Sequence, residues 1–361
     1  MKYINSITEA IGHTPLLKLN RIGKGAGANV FVKLEYLNPS GSYKDRMALA
    51  MIEAAEKGLT WNGKVLPPDG TVVEASAGNT APAVAMVCAA KGYRAKFVLY
   101  RYMLEGGANS RMLITGSYGP QVAVSSEPSR YLTDAQMAAL LADHPDMNRD
   151  MPHVLAAKTD CYMDEANDPK CVWVDQIYNE HNYIAQTELG REIWSQLDGQ
   201  VDAIGCSVSS GGALLGMCLG LAENGLRPPL TFGVVPRGSE NYFTLTKEEN
   251  GRGEFRISDV KKHVAGAMGL QKWVTEAPVV QTMLDRGYPD KFFLVSDIEA
   301  REMANRLCRE EGIFCGMSSG ANVAVALKIA ERLGAGKNVV TLIVDRRDRY
   351  LSESPNEKYV V

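Results

Sequence analysis

Short β-rich runs alternate with longer helical patterns through most of this chain, and the alternation predicts an α/β protein of two doubly wound halves with mostly parallel sheets. Three observations carry that prediction. The runs "ANVFVKLE", "GTVVEA", "RAKFVLY", "VDAIGCSV", "LTFGVVP" and "NVVTLIVD" are strand-like. The stretches "DRMALAMIEAAEKG", "TAPAVAMVCAAKG", "GALLGMCLGLAENG", "DIEAREMANRLCREEG" and "GANVAVALKIAERLG" have helical character and fall between strands, where parallel pairing needs crossovers. The length, 361 residues, suits two such units. The expected division is a smaller N-terminal half over 12–165 and a larger half over 166–361, with 1–11 and 34–44 packing on the larger.

The first half opens with "AIGHTPLLKL" and the strand "ANVFVKLE", then reaches "NPSGSYKDRMALAM", residues 38–51. Here a Gly/Ser turn is followed by Lys44 at the start of an apolar helix. A lysine there meets the positive end of the helix macrodipole, where Asp or Glu would be preferred, so something else must use its amine. "EASAGNTAPA" (74–83) follows the strand "GTVV" and opens the next helix. Gly78 permits a tight turn, Asn79 or Thr80 can cap the helix, and the backbone N–H groups would face an anion such as a carboxylate.

Between about 120 and 170 the rhythm degrades into a polar, acidic, Met-rich stretch with one helical pattern near 132–143, which reads as surface elaboration and the domain junction. The rhythm then resumes with "VDAIGC" and "SVSSGGALLGM". Ser209, Ser210, Gly211, Gly212 and Ala213 put hydroxyls, glycines and a helix N-terminus together, a nest for a phosphate monoester as well as a common type of connection. It is neither a Walker A loop nor a dinucleotide fingerprint. The charged stretch 246–263 is expected to run over the surface. "EEGIFCGMSSGANVAVAL" (310–327) places Ser318 and Ser319 before a long amphipathic helix, a position that also suits a cap.

Composition excludes several function classes. Apolar residues are 45%, charged residues 22% and the formal net charge is −3, with no basic block, so neither nucleic acid nor an anionic membrane is an expected partner. The start has no apolar signal core, and "APAVAMVCAA" (81–90) is too short to span a bilayer, which points to a soluble cytoplasmic protein. Cys88, Cys161, Cys171, Cys206, Cys218, Cys308 and Cys315 are seven, an odd number without a CxxC pair, and read as buried thiols rather than a disulfide framework. No metal is expected, since Cys161 with His153 or Cys171 matches no standard ligand spacing.

A reactive lysine, a phosphate nest, a carboxylate-binding turn with an amide side chain and a hydroxyl at a distant turn together suit one cofactor, pyridoxal 5'-phosphate. It bonds a lysine as a Schiff base, anchors by its phosphate and delocalises carbanions through its ring. "AIGHTPLLKL", "NPSGSYKDR", "EASAGNTA", "SSGGALLG", "EEGIFCGMSSGANVAVAL" and "DRYLSE", in this order, resemble the signatures of the cysteine synthase and cystathionine β-synthase group. These are fold-type II pyridoxal-phosphate enzymes with a tryptophan synthase β-like fold. The resemblance runs from about residue 6 to 353 and weakens between about 120 and 172 and from 238 to 290.

The resemblance implies that Lys44 is the Schiff-base lysine, that Asn79 meets the cofactor's phenolic oxygen, that Ser209 to Ala213 hold its phosphate and that Ser318 bonds its ring nitrogen. It further implies that Ser76, Ala77, Gly78, Asn79, Thr80 and Gln176 receive the substrate carboxylate, with the carboxylate turn on the smaller, mobile half. A homodimer is implied as well. Departures from the pattern fall at Ala77, where a hydroxyl is usual, within Ser209–Ala213, and at Asp345-Arg346-Arg347-Asp348-Arg349, where Asp-Ser-Gly-Glu-Arg is usual.

The reaction this implies is β-replacement. An amino acid with a leaving group on Cβ displaces Lys44, whose freed amine removes the Cα proton, and a nucleophile replaces the β-substituent. The substrates are small amino acids: an activated serine, O-acetylserine or O-phosphoserine, and a sulfur or amine nucleophile. A neutral serine at the ring nitrogen does not enforce a pyridinium, which disfavours transamination and decarboxylation. The alternatives are a β-eliminating lyase or dehydratase of serine, threonine or cysteine, and a catalytically weak regulatory subunit that keeps the fold. Arg237, after Pro236 at the end of "GVVP", is placed where it could read a substrate anion, though a solvated loop arginine fits the same position.

Overall fold

The computed structural model describes residues 3–99, 109–119, 122–125, 133, 135–136, 138, 151–225, 227–237, 243–247, 254–260 and 278–353. In chain order these form β1 (Leu16–Lys18), β2 (Asn29–Lys33), α1 (Lys44–Glu56), β3 (Thr71–Ala75), α2 (Thr80–Lys91), β4 (Arg94–Val98), α3 (Asn109–Gly116), β5 (Val122–Ser125), α4 (Met151–Asn167) and β6 (Cys171–Trp173). There follow α5 (His181–Ala185), α6 (Thr187–Gln196), β7 (Ala203–Ser207), α7 (Gly212–Ala222), β8 (Leu230–Pro236), β9 (Phe243–Lys247) and β10 (Glu254–Val260). The last are α8 (Pro278–Asp285), β11 (Lys291–Val295), α9 (Asp297–Glu311), α10 (Met317–Leu333) and β12 (Asn338–Leu342), before a 3-10 turn over Arg347–Glu353.

The strands make two sheets, an eight-stranded one in the order β1-β2-β12-β7-β8-β11-β10-β9 and a four-stranded one in the order β5-β4-β3-β6. All pairings in the smaller sheet are parallel. In the larger, β2, β12, β7, β8 and β11 run parallel, while β1, β10 and β9 add antiparallel edges. Every residue of β12 is buried, as expected of a central parallel strand covered on both faces. One apolar cluster joins β12, β2, α9 and α10, and a second joins α6, α7 and α8 to the other face. A third lies between α1, α2 and the smaller sheet.

Several placements differ from the sequence reading. β1 and β2, inside 12–165, join the larger sheet, because β2 continues the parallel ladder of β12, with Val30 opposite Val339. β6, inside 166–361, pairs with β3 in the smaller sheet, with Val172 opposite Val72. Within 34–44, Tyr36 and Tyr43 donate backbone bonds to Ile343 and Val344, just beyond β12. The turn Ile7–Ala10 instead lies against α2, and Ile11 packs on the α1–α2 cluster, where an apolar side chain finds cover.

The stretch from 120 to 170 is not all elaboration either. β5 completes the smaller sheet, and α4 buries Ala156, Ala157 and Cys161 against that unit. Most of the helical pattern expected near 132–143 lies outside the described residues. Part of the stretch 246–263, expected to run over the surface, is strand: 254–260 pairs with 243–247 on one side and with β11 on the other. All seven cysteines are free, and each is buried except Cys308. No helix among the described residues is long and apolar enough to cross a membrane.

α1 is seated by a buried charge network. Arg46 Nε and Nη2 bind Glu35 at 2.8 and 2.9 Å, and Arg46 Nη1 and Nη2 bind Glu192 of α6 at 2.7 and 2.9 Å. Lys33 Nζ is 2.6 Å from the second Glu192 oxygen. Burial pushes the Glu192 carboxyl up, but the bonds and charges of Arg46 and Lys33 outweigh that and hold it at about 2. Arg46→Met should cost roughly 3–5 kcal/mol of stability, because it leaves buried Glu35 without its ion-pair partner and Glu192 with Lys33 as its remaining one among the described residues. Urea denaturation of the apoprotein is the measurement. The Glu192 share is lost as pH falls from 4.5 towards 2, because the native state holds the carboxylate more strongly than the unfolded chain does.

Candidate active site

The carboxyl ends of β3, β7 and β12 and the turn before α1 converge on one region, the usual place for ligands in an open α/β sheet. Lys44 is the first residue of α1 and is only 7% exposed. Its backbone N–H reaches Ser42 Oγ at 3.3 Å, and its Nζ lies 4.8 Å from the centre of the Tyr43 ring. Among the described residues no carboxylate pairs with Nζ. Burial therefore dominates and lowers its pKa to about 8, although the charge of Glu74 pulls the other way. An amine that is partly neutral near pH 8 can act as nucleophile and base.

The turn after β7 has the geometry of an anion cradle. Gly211 adopts φ +82°, which favours glycine, and brings the chain into the N-terminus of α7. No protein acceptor among the described residues takes the backbone N–H groups of Ser209 to Leu214. Ser209 is exposed, whereas Ser210, Gly211, Gly212 and Ala213 are buried. A Cβ on Gly212 would fall 2.2 Å from Asn182 Oδ1, so the second glycine is needed for Asn182 to pack there.

Asn182 connects this cradle to the β3–α2 turn. Its Nδ2 donates to Ser210 Oγ at 3.0 Å and to the carbonyl of Gln176 at 2.6 Å. Thr80 Oγ1 in turn donates to Gln176 Oε1 at 2.6 Å. Gly78 N–H donates to Ser76 Oγ at 3.2 Å, and Ala77 is buried with its carbonyl bound by Arg111 Nε at 3.1 Å. Beneath the turn, Glu74 accepts from the N–H groups of Ala75 and Gln176. Burial, with the nearby charge of Asp175, pushes its carboxyl up. Lys158 of α4 lies 3.6 Å from Asp175 and completes this buried cluster.

Asn79 does not cap α2, although its position allowed that expectation. Its Nδ2 donates to Asp345 Oδ2 at 2.6 Å and its Oδ1 accepts from Arg349 Nη1 at 2.7 Å. Asp345 also pairs by a backbone bridge with Ser42, two residues before Lys44, and accepts from the Tyr350 hydroxyl. Ser319 is fully buried with its Oγ taken by Val344 N–H at 3.0 Å, whereas Ser318 is exposed and its hydroxyl has no partner among the described residues. Of the two serines, only Ser318 keeps its hydroxyl open among the described residues. Arg237 is exposed at the end of β8 and donates its backbone N–H to Val295; no hydrogen bond among the described residues joins it to the others.

The sequence reading gave no site role to Asn182, nor to Asp345 and Arg349, which it noted only as part of a departure from the family pattern. The signal for Asp345 was a charge placed straight after the apolar run "NVVTLIV", and for Asn182 the asparagine pair in "YNEHN". These residues fit pyridoxal phosphate: free amides and a glycine-lined helix start suit its phosphate, a desolvated lysine its aldehyde, and a free hydroxyl its ring nitrogen.

Comparison with known proteins agrees. A family model described as "Pyridoxal-phosphate dependent enzyme" matches residues 7–345, and the chain belongs to that family. Within it the chain is similar to cysteine synthases. It is 32% identical to Cysteine synthase 1 of Emericella nidulans over 96% of this chain and 84% of that protein, and 31% identical to Cysteine synthase B of Salmonella typhimurium over 97% and 95%. Among solved structures, an O-acetylserine dependent cystathionine beta-synthase from Helicobacter pylori superposes with TM-score 0.71 at 26% identity over 98% of both chains. A hydrogen sulfide-producing enzyme from Fusobacterium nucleatum gives TM-score 0.70 at 29% identity over 97% of this chain and 99% of that one. Pyridoxal phosphate is the cofactor.

The lowered Lys44 pKa has a direct consequence for loading. The rate at which the apoprotein takes up pyridoxal phosphate should rise with pH through a midpoint near 8 rather than 10.5, followed by visible absorbance after mixing. Lys44→Ala should show no such limb.

Proposed function

We propose that the chain is a β-replacement synthase that joins an activated serine, O-acetylserine or O-phosphoserine, to a sulfur or amine nucleophile. The observation that carries the reading is the buried amine of Lys44, paired with no carboxylate among the described residues, in the region where an anion cradle and a carboxylate turn converge. When bound, pyridoxal phosphate supplies an electron sink for the pair left as Cα loses its proton. The residues of the chain do the rest. Lys44 is the covalent anchor and then the base that holds the Cα proton. The N–H groups of Ser209 to Leu214 and the start of α7 bind the phosphate, and Ser318 holds the ring nitrogen as a neutral partner. Ser76 to Thr80, with Gln176 tied to Thr80, bind the substrate carboxylate and fix the Cα–H direction.

Six buried thiols and no disulfide suit a reducing compartment such as the cytoplasm, and a homodimer is the assembly we propose from the family resemblance. Exposing the holoprotein to O-acetylserine, O-phosphoserine and serine in turn, with sulfide or an amine added second, is the test. A stable thioether, thiol or amine product supports synthesis. Keto-acid release that ignores the second substrate would show an eliminating lyase instead. Lys44→Ala should abolish turnover while leaving the chain folded by circular dichroism.

Arg237 is our candidate for reading an anionic group. It shares the carboxyl edge of the larger sheet with the cradle, because Ser207 of β7 stands opposite Val234 of β8. A guanidinium suits bidentate recognition of phosphate or carboxylate. Arg237→Ala should weaken use of the anionic substrate by about 1.5–3 kcal/mol in kcat/KM and spare a neutral analogue. Equal losses on both would mean that the arginine only supports its loop.

A further inference from the structure

Arg349 is a large charged side chain held at 1% exposure, and none of the chemistry assigned above uses it. Burying a guanidinium is costly unless its donors are spent on specific acceptors. Here they are spent on two separate pieces of the site. One terminal nitrogen donates to the carbonyl of Ser40, in the turn that delivers Lys44. The other donates to the side-chain oxygen of Asn79, at the start of α2. The Nε has no hydrogen-bond acceptor among the described residues, and Asp348 Oδ1 lies 4.0 Å from it.

The bond to Asn79 decides which way a carboxamide faces. A guanidinium can only donate, so it selects the Asn79 oxygen. On the other side Asp345 Oδ2 takes one N–H of Asn79 Nδ2. Two partners of opposite character leave a single orientation for the amide, with the second N–H of Nδ2 unspent among the described residues. A flipped amide would set an N–H against the guanidinium and an oxygen against the carboxylate. Asn79 has given up helix capping for this arrangement.

We propose that Arg349 is a positioning residue: by bridging Ser40 and Asn79 it fixes the Asn79 carboxamide with its nitrogen towards the cofactor and sets that nitrogen in register with Lys44. The inference rests on the reading that Lys44 and Asn79 hold pyridoxal phosphate. Lysine cannot replace the arginine fully, since one ammonium on a flexible stem lacks the planar fork that spans both acceptors.

The test is a double-mutant cycle read on cofactor release from substrate-free holoprotein, which is independent of the reaction catalysed. Arg349→Met and Asn79→Ala should each speed release by about tenfold or more and shift the visible band of the bound cofactor, with Arg349→Lys in between. In the Asn79→Ala background, Arg349→Met should add little, because its target is gone. Should Arg349→Met fail to fold, Arg349→Lys and the same double variant with lysine carry the cycle. Additive effects would overturn the proposal and make Arg349 a structural prop. An unchanged release rate in Asn79→Ala would overturn it too, by removing Asn79 from the cofactor, while Lys44 and the replacement chemistry would stand.

Discussion

The bidentate grip of Arg46 on Glu35 and Glu192 is the constraint on which the site depends. It lies two residues along α1 from Lys44 and ties that helix both to the turn after β2 and to α6. Removing such charges from water is expensive, and only the near-complete pairing of both carboxylates, with Lys33 on the far side, offsets it. What the network gives in return is placement. Lys44 can stay at the positive end of a helix, buried and without a paired carboxylate among the described residues, because its neighbours hold the helix start in place, and burial there lowers its pKa to about 8.

Much of this was legible in the sequence, for identifiable reasons. Strand-to-helix turns carry their own chemistry: Gly211 needs its positive φ, and Lys44 contradicts the helix dipole, so each stands out locally. Fold class followed from the alternation of periods. Sheet membership did not, because β2 and β6 are short apolar runs whose partners lie far along the chain, and hydrophobicity does not say which sheet an apolar run joins. α4 was hidden for a different reason. Its buried face carries Lys158, Thr159 and Asp160 as well as Ala and Cys, so the amphipathic signal is blurred by charges that the fold pairs internally.

The same limit explains the residues that were missed. Asp345 and Arg349 act on Asn79 across a sequence separation of more than two hundred residues, and their value comes from that long-range bond. In the primary sequence they are only charges in "DRRDRY". Ser318 and Ser319 show the reverse case: two adjacent hydroxyls are equivalent on paper, and burial separates one that bonds Val344 from one that is open.

The smaller sheet is inserted in the larger one, since β1 and β2 precede it and β7 follows it in the other sheet. The chain thus crosses between the sheets through 34–44 on the way out and through the stretch after β6 on the way back. The first crossing carries Lys44, and the second carries Gln176 and Asn182, which reach the carboxylate turn and the phosphate cradle. Both tethers therefore carry residues to which we assign ligand contacts. A rocking of one sheet against the other would have its axle inside the catalytic centre, and occupancy of that centre would be felt at once as a torque on the smaller sheet.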